Sequence, residues 1–216
     1  MNRKSLFVGS AVVLVVAFVV GTLMYKSEKT QQSAQTVERN RANLVQFYSP
    51  TLGNPDAKVH IVEFLDPACE TCRSFYPHVK QIMAANPDRV RLSIRHVPFH
   101  NGSDYVVKVL EAARKQGKYW QALEAMLASQ AYWARNHTAQ PELVWKPLEG
   151  LGLNLEQIKV DMNAPEIAQR IEQDLKDAKS LNVTKTPTFF VNGRPLPSFG
   201  LEQLQNLVKE ALLGAY

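Results

Sequence analysis

Two cysteines, the only ones among 216 residues, stand three positions apart in "DPACETCRSF", at Cys69 and Cys72. Thiols at that spacing can form a redox pair, half of a metal site, a static crosslink, or nothing chemical. Their local context discriminates. Cys69 falls where strand character ends and helical character begins. The first backbone N–H groups of a helix lack internal partners and carry partial positive charge. A thiolate placed there is stabilised, so its pKa falls and it becomes a better nucleophile near neutral pH. Cys72 follows one turn later on the same helix face. From there it can resolve a mixed disulfide formed at Cys69.

The other uses of two thiols fit less well. A structural zinc ion wants four ligands, usually two Cys pairs or one pair with nearby His. No second pair exists, and His60, His78, His96, His100 and His137 have no compact ligand spacing. No metal is expected. A disulfide that closes so small a ring restrains the unfolded chain very little, so it makes a poor staple. Gly-rich phosphate loops, Ser-His-Asp orders and zinc-helix motifs are absent from the sequence.

The elements that must position the pair can be read on both sides of it. Lys58 to Leu65, "KVHIVEFL", is rich in β-branched residues and predicts a buried strand. A helix runs from the cysteines to Asn86-Pro87, with Pro77 inside it as a kink. Val90 to Val97 alternates as a strand, and the three elements make a βαβ unit. A first short strand is expected over Leu44 to Tyr48, before the turn residues of "SPTLGNPDA". Residues 101–182 read as helical, with no strand signal. Val106, Val109, Leu110 and Ala113 share one face, with Gly117 as a C-terminal cap. A second helix spans Tyr119 to Ala128. Asn154 with Gln157 resembles a capping box, and Pro165 opens a helix that stacks Ile167, Ile171 and Leu175. Thr188 to Val191 is a strand, Asn192-Gly193 a hairpin turn, and residues 195–199 a short edge strand. Leu201 to Leu213 closes the chain as an amphipathic helix. Trp120, Trp133 and Trp145 are read as core residues, Asp66 as a turn residue, and His96 and His100 as strand-end residues.

Charge excludes one class of partner. The formal net charge is +5, but residues 1–43 hold six of the 25 Lys and Arg and two of the 20 Asp and Glu. The remainder carries 19 basic and 18 acidic residues and has no basic excess for nucleic acid. Leu6 to Tyr25 is uncharged and long enough to cross a bilayer. Arg3 and Lys4 precede it, which predicts a cytoplasmic N-terminus. The run exceeds the apolar core of an ordinary cleaved signal, and no clean small-x-small site follows it. Either an anchor or a signal places the rest of the chain outside the cytoplasm, where disulfide chemistry is at home. Residues 26–43 are polar and lack Gly and Pro; they suit a flexible tether or a helix continuing from the membrane, and the tether is the preferred reading.

The chain resembles the DsbA-like extracytoplasmic thiol-disulfide oxidoreductases of the thioredoxin fold. "GNPDAKVHIVEFLDPACETCRSFYP", "QGKYWQALEAMLASQ" and "VTKTPTFFVNG" carry the resemblance, which extends over about residues 44–216. It implies an α/β thioredoxin fold (βαβ…ββα) interrupted by an all-helical subdomain. The organisation is then a membrane anchor at 1–25, the tether at 26–43, a first half at 44–100, the insertion at 101–182, and a second half at 183–216. The resemblance also implies roles for individual residues. Cys69 matches the attacking cysteine and Cys72 the resolving one. Thr186-Pro187 matches the cis-proline loop that meets substrate backbone; X-Pro bonds tolerate the cis form. Glu63 matches the buried acid that exchanges a proton with Cys72, and Pro77 matches the helix kink.

One feature departs from the family. Glu70 and Thr71 occupy the inner positions, where many members carry Pro and strong oxidants often carry His. A carboxylate beside Cys69 opposes thiolate formation. A higher Cys69 pKa and a less oxidising couple than in the strongest oxidants are therefore expected. The expected activity is disulfide exchange with protein substrates through Cys69–Cys72, disulfide donation first, needing no cofactor beyond the cysteines. A membrane redox partner is implied. The alternatives are a reductase or isomerase of the same fold, and a non-enzymatic metal-binding or chaperone module.

Overall fold

The computed structural model describes residues 3–44 and 46–216. Among these residues the larger of two sheets has five strands in the order β1-β3-β2-β6-β7. These are β1 (Thr51–Leu52), β2 (Val59–Leu65), β3 (Val90–His96), β6 (Thr188–Val191) and β7 (Arg194–Pro195). β2 is central: it pairs parallel with β3 and antiparallel with β6. Parallel pairing needs a crossover, and α2 (Glu70–Ala84) supplies it.

Side-chain alternation along β2 sends its residues to two different cores. Val59, Ile61 and Leu65 join the large cluster with Tyr76, Val79 and Ile82 of α2. Leu204, Leu207 and Val208 of α8 (Leu201–Ala215) complete that face of the sheet. Val62 and Phe64 point the other way, into a smaller cluster with Leu44, Val97, Ala178, Val183 and Phe190. Ala178 belongs to α7 (Pro165–Ser180), which covers the second face.

Between β3 and β6 the chain forms α3 (Ser103–Lys115), α4 (Tyr119–Ala128), the single turn α5 (Gln130–Trp133), α6 (Leu155–Asp161) and then α7. Local signals end these helices where the sequence places them. Gly117 takes a left-handed φ of 70° just past α3. The Asn154 side chain accepts the Gln157 N–H at 3.0 Å at the start of α6. Trp133 is fully buried and donates to the Met126 carbonyl at 2.9 Å, whereas Trp120 and Trp145 pack partly buried against the core.

Four expectations need correction. The block at 101–182 contains a short hairpin, β4 (Ala134–Arg135) with β5 (Thr138–Ala139). Two-residue strands are too short for an alternation signal, and "ARNHTA" lacks the Asn-Gly turn that marks such hairpins. Leu44 to Tyr48 is not a strand: Leu44 ends α1 (Arg3–Leu44), and residues 47–49 form a turn or bend. Position 45 lies outside the described residues. The first strand is Thr51–Leu52, inside the stretch read as turn, and it pairs antiparallel with Ser93 and Leu92 of β3.

Residues 26–43 are helical within α1, not a flexible tether. The segment lacks Gly and Pro and is rich in Gln, Glu, Ala and Arg, so it has nothing to stop a helix. Its C-terminal end is fastened to the domain by Arg95, which is fully buried. The Arg95 guanidinium donates to the Asn43 carbonyl at 2.6 Å and the Leu44 carbonyl at 3.2 Å. It also donates to Asp174 at 2.8 Å and Asp177 at 2.5 Å on α7. One side chain thereby caps α1 and ties α1, α7 and β3 together. The side chains of the first part of the expected anchor, through residue 13, lie outside the described residues. Among the described residues no helix is long and apolar enough to cross a membrane.

Candidate active site

The turn between β2 and α2 is built by Asp66. Its fully buried carboxylate accepts the Ala68 N–H at 2.9 Å, and its carbonyl accepts the Cys69 N–H at 3.0 Å. Asp66 is thus the turn residue that the sequence suggests. Two further residues bind the same carboxylate. His100 donates its backbone N–H at 2.8 Å and approaches with Nδ1 at 2.6 Å, and the Ser103 hydroxyl donates to the other oxygen.

This turn leaves Cys69 as the N-cap of α2, in an extended conformation with φ −79° and ψ 118°. Both cysteines are free thiols. Cys69 is 4% exposed and Cys72 is fully enclosed. The Cys69 thiol donates to the Thr186 carbonyl at 3.3 Å. The Thr186–Pro187 bond is cis. The first and second halves of the sheet domain therefore meet at the sulfur.

Electrostatics separate the two thiols. The Cys69 pKa is lowered to about 5. A hydrogen bond from the Cys72 thiol contributes most, acting against burial. The backbone N–H groups of Cys72 and Thr71 add to it. The last two are helix N-terminal donors, the effect expected at this position. Burial pushes Cys72 well above its ordinary range, and the hydrogen bond with Cys69 and the charge of Glu63 push it further. One thiol is ready to ionise while its neighbour is held protonated.

Glu63 lies on β2, on the same side as Ile61 and Leu65 and therefore facing the α2 layer. It is fully buried in a strand paired on both edges, which excludes a surface or edge acid. Neither carboxyl oxygen has a hydrogen-bond partner among the described residues. Burial, and then the charge on Cys69, raises its pKa to about 8.

The expected consequence of Glu70 is altered by a residue that the sequence does not bring near it. Glu70 Oε2 lies 2.8 Å from Nδ1 of His137, at the tip of the β4–β5 hairpin. The carboxylate beside Cys69 thus has its own partner. Gln130 on α5 is a second residue without a sequence signal. It is buried, and its amide donates to the carbonyls of Pro67 at 2.7 Å and Cys69 at 3.0 Å. In "LASQAYW" it reads as an ordinary helix surface position. His96 sits away from this chemistry: it bonds to the Tyr119 hydroxyl at 2.8 Å, and burial lowers its pKa to about 4. Among the described residues no three His, Cys, Asp or Glu side chains group in a way that could hold a metal ion.

A family model described as Thioredoxin matches residues 46–210. The chain belongs to the thioredoxin family. A solved structure of a thioredoxin-like oxidoreductase from Silicibacter pomeroyi is 34% identical and superimposes with a TM-score of 0.69, covering 79% of this chain and 96% of that one. The Bacillus anthracis "probable disulfide bond formation protein D" is 27% identical, with 89% of each chain covered. The Na(+)/H(+) antiporter NhaA of Herminiimonas arsenicoxydans is 30% identical over 88% of this chain, but the chain spans only 30% of that protein's length. The thioredoxin-family assignment gives the cysteine turn, the Thr186–Pro187 loop and the five-stranded sheet a common frame. The helical segment α3 to α7 is inserted between the family's βαβ and ββα halves.

Proposed function

We propose that this protein is an extracytoplasmic thiol:disulfide oxidoreductase that acts on proteins through Cys69 and Cys72, with disulfide donation as its forward direction. The observation that carries this reading is the asymmetry of the pair. Cys69 is the N-cap thiol with its pKa lowered to about 5, and Cys72 is enclosed behind it and held protonated. A value of about 5 lies between about 7 for thioredoxin and about 3.5 for DsbA. A stable Cys69 thiolate favours the reduced enzyme and so favours passing the disulfide on.

In the donating direction a substrate thiolate attacks Sγ of Cys69 in the Cys69–Cys72 disulfide. The Cys69–Cys72 bond breaks, a substrate–Cys69 bond forms, and Cys72 leaves with the electron pair. Glu63, whose complete burial favours the protonated carboxyl, supplies the proton that Cys72 takes up. A second substrate thiolate then attacks the substrate sulfur, and Cys69 departs as the stabilised thiolate. The substrate is oxidised by two electrons and the enzyme reduced by two. Thr186 and Pro187 offer an extended substrate an edge beside the sulfur. A membrane redox partner that accepts the two electrons completes the cycle.

The N-terminal helix fits a membrane anchor. In its described part Leu14, Val15, Phe18, Leu23 and Met24 are all more than half exposed, a large apolar surface that folding within the chain does not cover. Extraction of cell membranes with alkaline carbonate tests the anchor: the protein stays in the pellet, whereas recovery in the supernatant overturns it.

The activity is tested by equilibrating the full-length protein in detergent with glutathione buffers. A potential toward the DsbA end, near about −120 mV, supports disulfide donation. A value near about −270 mV, the thioredoxin end, makes it a reductase or isomerase instead. Failure to form the Cys69–Cys72 disulfide overturns the redox reading.

A further inference from the structure

We propose that His137, carried on the β4–β5 hairpin of the helical insertion, is a positioning residue for Cys69: it holds and compensates the Glu70 carboxylate, so that the Cys69 thiolate forms despite an acid at the adjacent position. The inference deepens the oxidoreductase reading and rests on it.

The hairpin is built to place this side chain. Asn136 and His137 both adopt left-handed φ, at 49° and 57°, the backbone of a tight two-residue turn. The base of the hairpin is fixed to the segment leading into α3. Asn101 bridges to Thr138, and its carbonyl accepts the Ala139 N–H at 2.9 Å. Gly102, at φ 72°, permits this close approach: a Cβ there would sit 3.0 Å from the Ala139 carbonyl oxygen.

At the tip, the His137 ring stacks on His100, with centroids 4.8 Å apart and planes inclined by 22°. His100 is itself bound to Asp66, the buried residue that shapes the turn into Cys69. Asp66, His100, His137 and Glu70 therefore form one connected frame around that turn. Each imidazole faces its own carboxylate, His100 with Asp66 and His137 with Glu70. The insertion thus supplies, from 67 positions beyond Glu70, a nitrogen donor that the Glu70-Thr71 dipeptide lacks.

The consequence is specific to the reduced enzyme. Unpaired, the Glu70 carboxylate repels a thiolate on Cys69 but does not repel a neutral disulfide. Donation from His137 offsets that repulsion and stabilises the reduced form. Both side chains are well exposed, at 59% and 41%, so solvent screens the pair and the effect is moderate.

The test measures the equilibrium with glutathione for the full-length protein in detergent. The variants are His137→Phe, which keeps a ring to stack on His100 but cannot donate, His137→Ala, Glu70→Gln, and the double variants. Each His137 change alone is expected to shift the constant about threefold toward the less oxidising side. That is about 14 mV at 29.6 mV per decade. The Cys69 pKa, followed by thiolate absorbance, should rise with it. In the Glu70→Gln background the same changes should shift neither quantity. Equal shifts in both backgrounds would assign His137 a purely structural role and overturn the inference, as would no shift in either. A wild-type protein that forms no Cys69–Cys72 disulfide removes the oxidoreductase reading and this inference with it. A wild type that forms the disulfide, with variants unshifted, removes the inference alone.

Discussion

The thiol of Cys69 reaches the main-chain oxygen of Thr186 across 3.3 Å, although the two residues are 117 positions apart. The contact makes the Cys69 sulfur the meeting point of the turn after β2 and the loop before β6. A carbonyl acceptor suits a protonated thiol and not a thiolate. When the proton leaves, stabilisation must come from donors: the Cys72 thiol first, then the backbone N–H groups of Cys72 and Thr71.

That ranking makes a direct prediction. Cys72→Ala removes the leading donor, and a hydrogen bond to a charged group contributes about 1.5–3 kcal/mol. The Cys69 pKa should therefore rise by roughly 1–2 pH units from the wild-type value near 5. Thiolate absorbance near 240 nm against pH in the reduced proteins checks it. An unchanged titration in Cys72→Ala would assign the stabilisation to the helix terminus alone.

The same asymmetry predicts which variant traps substrate. With Cys72→Ser, an attack through Cys69 leaves a mixed disulfide that nothing within the enzyme can resolve. Cells carrying this full-length variant should accumulate higher-mass adducts on non-reducing gels that disappear on reduction. Cys69→Ser should give none, because the remaining thiol is enclosed and held protonated.

The cysteine pair, β2, α2 and β3 were legible because each rests on a local pattern: β-branched runs, helix periodicity, and a thiol at a strand-to-helix junction. Glu63 stood out through its match to the family's buried acid, and its burial was legible because an acid inside "HIVEFL" has few places to go in a doubly covered strand. His137 and Gln130 were not. Their roles come from long-range packing that folds the insertion back over the cysteine turn, and nothing in "NHTA" or "SQAY" encodes that return. The helix at 26–43 was one of two readings open to the sequence, and it ranked second for a different reason. Few apolar positions argued for a tether, whereas uninterrupted helix-forming residues and an Arg95 cap at the far end suffice for a helix.

Arg95 offers a stability prediction with an internal control. The side chain is fully buried and joins Asp174, Asp177 and the end of α1. Arg95→Met leaves two buried carboxylates without their cation, a change that costs about 3–5 kcal/mol. Arg194 pairs with Glu210 at the surface, both more than half exposed. Arg194→Met should cost no more than about 0.5 kcal/mol. Urea unfolding of the full-length protein and both variants compares them directly. Similar midpoints would mean that the buried network contributes no more than a surface pair.

Glu63 combines a stability effect with a kinetic one, and the signs can be worked out. In the unfolded chain its carboxyl ionises near 4.5, whereas in the reduced native protein burial and the charge of Cys69 hold it protonated up to about 8. Between those values the native state binds the extra proton, so rising pH works against folding. Glu63→Gln removes that cost. It should match the wild type below about pH 4.5 and gain progressively up to pH 8, reaching on the order of 3–5 kcal/mol. Cys69 imposes the opposite slope on both proteins, because its native pKa of about 5 lies below the ordinary thiol value of 9.0 and stability is gained as pH rises between them. Only the difference between variant and wild type therefore isolates Glu63. The kinetic sign is reversed. In a mixed disulfide Cys69 carries no charge, so one of the two causes that hold Glu63 protonated is gone and the carboxylate is freer to accept the Cys72 proton. If Glu63 takes that proton, Glu63→Gln should slow resolution of a Cys69 mixed disulfide at pH 7 by on the order of 10²-fold. A variant that is more stable at pH 8 yet slower to release substrate would mark a buried acid that costs stability and serves the exchange. A variant with the stability gain but wild-type resolution would leave Cys72 to exchange its proton without Glu63.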